Sequence, residues 1–188
     1  IFKYFLGALL EENVCEQAAY YKLPLETEGI RRTTAKKDLH ITVGYIGHVE
    51  EVLLPPLLDS LEGLNQEKPI SLKFNALDTF GYGHNSRHYL GVSILDAPER
   101  IKKIHFDVSA KMEEAAEIGF TKQRAFHPHI TLQLLDHKSP EALKEGLRNR
   151  FLEQEIAPYS FEVKKLALLY KCPQLKSYIS VSEYELEG

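Results

Sequence analysis

Apolar positions along the chain follow two rhythms, every second residue and every third or fourth, and their order predicts a mixed α+β fold. Residues 3 to 10 form a short apolar run closed by Glu11-Glu12, which marks a buried strand. Asn13 opens a helical stretch with Val14, Ala18 and Tyr21 on one face, and Pro24 ends it. Residues 25 to 38 carry Gly29, Arg31, Arg32, Lys36 and Lys37 without any period and read as a loop. A second strand spans residues 39 to 46 and stops at Gly47. The stretch 49 to 61 is helical in pattern but interrupted by Pro55-Pro56.

Alternation of Ile70, Leu72, Phe74 and Ala76 predicts a strand over 70–80, and another covers 89–95 after a loop at 81–88. Asp96-Ala97-Pro98-Glu99 has the form of a helix start, with Asp96 as cap. Ile101, Ile104, Val108, Met112 and Ala115 then lie on one helical face that runs toward Gly119. A strand follows over 127–135, then a helix from Ser139-Pro140 carrying Leu143, Leu147 and Phe151, then strands near 160–170 and 178–186. The chain thus divides into two α+β halves with no linker rich in Gly, Ser or Pro, so residues 1–188 are expected to form one bilobal domain.

Composition narrows the function classes. Hydrophobic residues make up 44% and charged residues 27%, a globular balance that gives no case for disorder. The net charge of −4 excludes general nucleic-acid binding through a basic surface, so a phosphate partner must meet a local site. Cys15 and Cys172 are too few for a disulfide scaffold or a four-cysteine zinc site, which suits a reducing, cytoplasmic setting. The apolar run Tyr4 to Leu10 is too short to span a bilayer, so no membrane association is expected, and no obligate protein partner is evident.

One local pattern recurs with its chemistry intact. Leu39-His40-Ile41-Thr42-Val43 in the first half is matched by Pro128-His129-Ile130-Thr131-Leu132 in the second. In a strand, residues i and i+2 share a face, so each His stands beside its Thr while Ile41 and Ile130 turn into the core. If the halves face each other, two imidazoles and two hydroxyls surround one tetrahedral group. Opening a cyclic phosphate in line needs a base on the attacking water and an acid on the leaving oxygen, and His serves as either near neutral pH. Thr42 and Thr131 would hold the non-bridging oxygens through the transition state. That chemistry calls for no metal and no cofactor.

These two motifs, with Gly44-Tyr45-Ile46-Gly47 after the first and Phe126-His127-Pro128 before the second, resemble the 2H phosphoesterases, in their 2′-5′ RNA ligase and cyclic phosphodiesterase branch. The resemblance extends to the opening strand, the region from Phe80 to Val92, and the ending Leu168-Leu169-Tyr170 with Tyr178. It implies an α+β bilobal fold, two pseudo-symmetric lobes of antiparallel sheet with outer helices around a central cleft. It also implies metal-independent hydrolysis or transesterification of 2′,3′-cyclic or 2′-5′ phosphodiesters, with an RNA 3′ end or a small nucleotide as substrate. The family's roles carry over to His40, Thr42, His129 and Thr131. Members of this branch often place Arg five residues after the second His, where this chain has Leu134.

Around this core stand weaker candidates. Arg31, Arg32, Lys36 and Lys37 precede His40 and could draw a phosphate chain inward. Arg124 and Lys122 lie upstream of His129, and His127 shares its strand parity. His84 and His88 match no phosphate-loop spacing and read as plain loop. Among Tyr45, Phe80, Tyr170 and Tyr178, aromatic residues at strand ends that could stack a base, Tyr170 is the preferred choice. Two rival functions remain: an RNA-end binding module with little turnover, and a metal-dependent hydrolase using His127 and His129 with His40.

Overall fold

The computed structural model describes residues 2–81, 87–121, 126–172, 174, 175 and 177–188. Along them run β1 (Phe2–Leu9), α1 (Glu12–Ala19), β2 (Ile30–Thr33), β3 (His40–Val49), α2 (Leu54–Leu61), β4 (Ile70–Phe74), β5 (Ala76–Phe80) and β6 (Tyr89–Ser93). The second part contains α3 (Glu99–Ala116), β7 (His129–Leu135), α4 (Glu141–Leu152), β8 (Tyr159–Val163), β9 (Lys165–Cys172) and β10 (Ser177–Glu185).

The main sheet has the order β10-β9-β1-β3-β7-β6-β5, with β2 added on β7, while β4 and β8 form a separate two-stranded ribbon. Every strand pair is antiparallel. The main sheet consists of two four-stranded halves, and these meet where β3 and β7 pair through Ile41 and Ile130 alone.

Alternation along the strands sorts side chains onto two faces. Tyr4, Leu6 and Ala8 of β1, Ile41 and Val43 of β3, Ile130 and Leu132 of β7, and Leu166 and Leu168 of β9 build the main core. Against them pack Val14 and Ala18 of α1, Leu57 and Leu61 of α2, Ile101 to Met112 of α3, and Leu147 and Phe151 of α4. Each fully buried Val, Leu, Ile, Phe or Met among them contributes roughly 1.5–3 kcal/mol of burial free energy. All four helices therefore cover one face. The other face carries a small apolar cluster of Phe5, Ala167 and Leu169 with Leu9, Tyr45 and Tyr178, and is otherwise open for chemistry.

Several elements differ from the sequence pattern for identifiable reasons. The expected loop 25–38 contains β2, a four-residue strand on β7, and a 3-10 turn at Lys36–Asp38. The single strand expected over 70–80 is two: β4 pairs with β8 in the ribbon, then the chain crosses at Asn75 into β5 of the main sheet. The stretch 160–170 crosses the same way, from β8 into β9 past Lys164. Pro55 and Pro56 occupy the first turn of α2, where a missing N–H costs nothing, so they start the helix rather than interrupt it. Asp96 does not cap α3; its carboxylate accepts a hydrogen bond from Asn75 at 3.3 Å, and Pro98 precedes the first turn. Among the described residues no helix is long and apolar enough to cross a membrane.

Gly91, in the middle of β6, lies directly across from Thr131. A Cβ there would overlap the carbonyl oxygen of Ile130 and sit 3.1 Å from the Phe80 ring. Because the obstacle is backbone, it cannot yield without opening β6 from β7. Gly91→Ala should therefore lower stability by about 1–3 kcal/mol, seen as a reduced urea midpoint at unchanged slope. An unchanged midpoint would contradict this register.

Candidate active site

Residues directly opposite each other in an antiparallel pair share a face, and their neighbours take the other. Ile41 and Ile130 are opposite each other and fully buried at 0% exposure. His40, Thr42, His129 and Thr131 must all emerge on the far face, His40 across from Thr131 and Thr42 across from His129. A regular pair would set the diagonal histidines roughly 7–8 Å apart, somewhat less at Cβ, which leaves room for one tetrahedral group between the rings. All four are half-buried.

The two halves repeat one construction. In β3 the consecutive residues Val43 and Gly44 are both buried, and in β7 so are Leu132 and Gln133. Each pair coincides with a register shift against the neighbouring strand. Such a bulge reverses the alternation and brings Tyr45 and Leu134 back to the face of the histidines. Across from each Thr stands a glycine, Gly7 of β1 opposite Thr42 and Gly91 opposite Thr131. A glycine inside a strand marks a close approach, and here a Cβ would meet the Leu169 side chain at Gly7 and the Ile130 carbonyl at Gly91. Gln133, at 0% exposure, accepts from the Leu23 N–H at 2.8 Å and donates to the Leu23 carbonyl at 2.9 Å and to the Thr33 hydroxyl at 3.0 Å. It locks β2 and its approach onto β7.

Both imidazoles are oriented alike. His40 Nδ1–H donates to the carbonyl of Asp38 at 2.8 Å, and His129 Nδ1–H donates to the carbonyl of His127 at 2.8 Å. A carbonyl only accepts, so Nδ1 carries hydrogen and each Nε2 is left with its lone pair free. Phe80 stacks on His129 with ring centres 3.8 Å apart. Phe5 lies 5.0 Å from the His40 ring, and Tyr178 meets it edge-on at 4.8 Å.

Burial pushes both imidazoles below their ordinary value of 6.5. The carbonyl partners act the other way, since they favour the protonated ring. Around this shared pattern the charges differ. Asp78 of β5 raises His129, whereas His129 and Arg32 lower His40 and Asp38 raises it.

The sequence candidates separate accordingly. Tyr45, Phe80 and Tyr178 lie on the histidine face. Tyr170 does not: it pairs with Tyr4 and packs against Phe2 at 4.8 Å and Tyr4 at 5.8 Å, on the main-core face. The His127 side chain is exposed, and the part of it that meets His129 is its backbone carbonyl. Arg31 reaches His137 at 3.2 Å, and Lys36 is held by Glu16 and Glu12 at 3.0 and 3.5 Å. His88 lies away from the pair beside α4, where the charges of Lys144, Glu141 and Arg148 act on it. Arg124, Lys122 and His84 lie outside the described residues. Among the described residues no three His, Cys, Asp or Glu side chains are grouped to hold a metal ion. Phe5, Gly7, Gly91 and Asp78 were not singled out from the sequence; the mid-strand glycines were the visible signal.

Comparison with known proteins identifies the family and the fold. Residues 12–171 match the family model of the 2′-5′ RNA ligase superfamily. Over 137 residues the chain is 28% identical to an RNA 2′,3′-cyclic phosphodiesterase of Methanocaldococcus jannaschii, an alignment covering 71% of this chain and 73% of that protein. Escherichia coli LigT, solved in complex with 3′-AMP, superposes with a TM-score of 0.73 at 18% identity, over 100% of this chain and 99% of that one. A Thermus thermophilus protein gives 0.72 at 20% identity, over 99% and 98%. The α+β fold expected from the sequence is the fold these structures share.

Imidazole ¹⁵N spectra should show His40 and His129 as the Nδ1–H tautomer when neutral, both titrating below 6.5. A midpoint above the ordinary value of about 6.5 for either ring would contradict the burial described.

Proposed function

We propose that this chain, which belongs to the 2′-5′ RNA ligase superfamily, is a phosphodiesterase that opens a 2′,3′-cyclic phosphate, or cleaves a 2′-5′ linkage, at an RNA 3′ end or on a small nucleotide. The observation that carries this is the pair of imidazoles. Each has Nδ1 spent on a carbonyl, each leaves Nε2 free, and each stands beside a threonine on one face. The name of the Methanocaldococcus jannaschii relative supports the substrate class.

In hydrolysis of the cyclic ester, one neutral imidazole takes a proton from water through Nε2 as the water oxygen bonds to phosphorus. The opposite P–O(ribose) bond breaks, and the second, protonated imidazole gives its proton to that leaving oxygen. A ring on either side of phosphorus matches in-line displacement, and the way the substrate lies decides which ring begins as base. Thr42 and Thr131 donate hydrogen bonds to the non-bridging oxygens, whose charge persists throughout. Neither half-sheet holds the complete set, so residues 1–188 act as one bilobal unit. Two free, buried thiols, Cys15 and Cys172, suit a reducing compartment and hence a cytoplasmic location.

The active form carries one proton shared between two rings whose affinities burial has lowered. Raising the pH through the lowered values empties both rings and removes the acid. Lowering it fills both and removes the base. kcat/KM for a 2′,3′-cyclic mononucleotide should therefore follow a bell with its maximum on the acid side of about 6.5, its limbs belonging to the pair rather than to one residue. A profile still rising at alkaline pH would contradict this.

His40→Ala and His129→Ala should each reduce turnover by roughly 10²–10⁴, and the double variant should lose far less than the product of the two. Thr42→Val and Thr131→Val should cost less than either. Near-normal turnover in His40→Ala would remove it from the pair, leaving a binding module or a metal site to be considered. Activity should survive prolonged chelation. Loss with recovery on adding zinc would favour the His127 and His129 metal hydrolase instead.

A further inference from the structure

Past Thr131, the histidine face of β7 continues to Leu134 and presents no charge there. Directly across from Leu134 stands Arg32 of β2. Paired residues share a face, so Arg32 rises on the same side as His129 and Thr131 and, through the junction with β3, as His40. Of the residues beside it, Thr33 turns inward to meet Gln133 at 3.0 Å, Arg31 is exposed and reaches His137, and beyond the bulge Ile30 pairs with the buried Leu135.

Arg32 is half-buried, and among the described residues it forms no ion pair. The nearby carboxylate of Asp38 accepts instead from the Ser177 hydroxyl at 2.6 Å. The positive charge of Arg32 is felt at His40, at Tyr178 and at Lys171, lowering the proton affinity of all three. A partly desolvated guanidinium without a counter-ion is costly unless an anion completes it. A guanidinium also offers two parallel N–H donors that match two oxygens of one phosphate.

We infer that Arg32 binds the non-bridging oxygens of the substrate phosphodiester held between His40 and His129, supplying from β2 the cation that Leu134 does not supply from β7. The inference is built on the phosphodiesterase function proposed above. Its distinguishing feature is that the charge is set by the strand pair rather than by one residue: an arginine on either member of the Arg32–Leu134 couple reaches the same place.

The test moves the charge across the couple. Arg32→Leu should lower kcat/KM for a 2′,3′-cyclic mononucleotide by about 10–100-fold and weaken inorganic phosphate binding, measured calorimetrically, by a similar factor. Adding Leu134→Arg to that variant should restore most of both losses. Arg32→Gln, with a polar side chain and little change in packing, should behave as Arg32→Leu does. Phosphate affinity unchanged in Arg32→Gln, or a double variant no better than Arg32→Leu, would overturn the inference. A wild-type chain that binds phosphate through Arg32 but turns over no cyclic phosphate would leave this anion site standing and overturn the proposed reaction.

Discussion

A single backbone coupling, Ile41 against Ile130, determines the rest of the site. It joins the two half-sheets, and it does so at the middle residue of both His-x-Thr motifs. Because strand side chains have a period of two, burying these isoleucines forces the residues on either side of each toward the opposite face. A slip of one residue would turn a histidine and threonine pair into the helix-covered core and an isoleucine into the cleft. The slip is opposed by burial of both isoleucines and of Val43 and Leu132 beside them, and by the loss of the close approach that Gly7 and Gly91 make opposite the threonines. Hydrophobic packing on one face thus specifies polar geometry on the other.

The same burial sets the chemistry. Imidazoles in open water would titrate near 6.5 and rotate freely; here carbonyls of Asp38 and His127 fix their orientation while partial desolvation lowers their hold on a proton. An incoming phosphate anion reverses part of that loss, because a negative charge beside a ring favours its protonated form. The halves share their bulges, glycines and ring contacts, yet differ in charge: Asp78 acts on His129, and Arg32 on His40. The near symmetry gives the two imidazoles like orientations, and the unequal charges distinguish their surroundings.

Much of this was legible in the residue pattern. The recurrence of His-x-Thr inside two apolar runs, with strand parity, is the signal that placed these four side chains on one sheet face, the face the Ile41–Ile130 register gives them. The helices followed from spacing, and the prolines of α2 were misleading because their tolerated place is the first turn. The double strands at 70–80 and 160–170 were not separated because no Gly or Pro marks either crossing; the only trace is a broken alternation, at Leu77-Asp78 and at Lys164-Lys165, where the chain passes from ribbon to sheet. β2 was missed because four residues with two arginines and a bulge carry no period of their own; its pairing with β7 is a tertiary effect. Tyr170 was misplaced by one residue of parity: Leu169 faces the histidines, and its neighbour faces the core. Arg32 was seen only as one of four cations in a loop, because its partner Leu134 is distant in sequence.

If the Ile41–Ile130 junction governs the site, it sets His40 and His129 on opposite sides of one phosphorus atom. A crystal structure with a cyclic vanadate ester of a nucleoside, whose trigonal-bipyramidal metal centre imitates the in-line transition state, tests it directly. His40 Nε2 should lie within hydrogen-bond distance of one apical oxygen and His129 Nε2 within hydrogen-bond distance of the other. Both imidazoles on one side of the vanadate, or either ring out of reach of an apical oxygen, would contradict it.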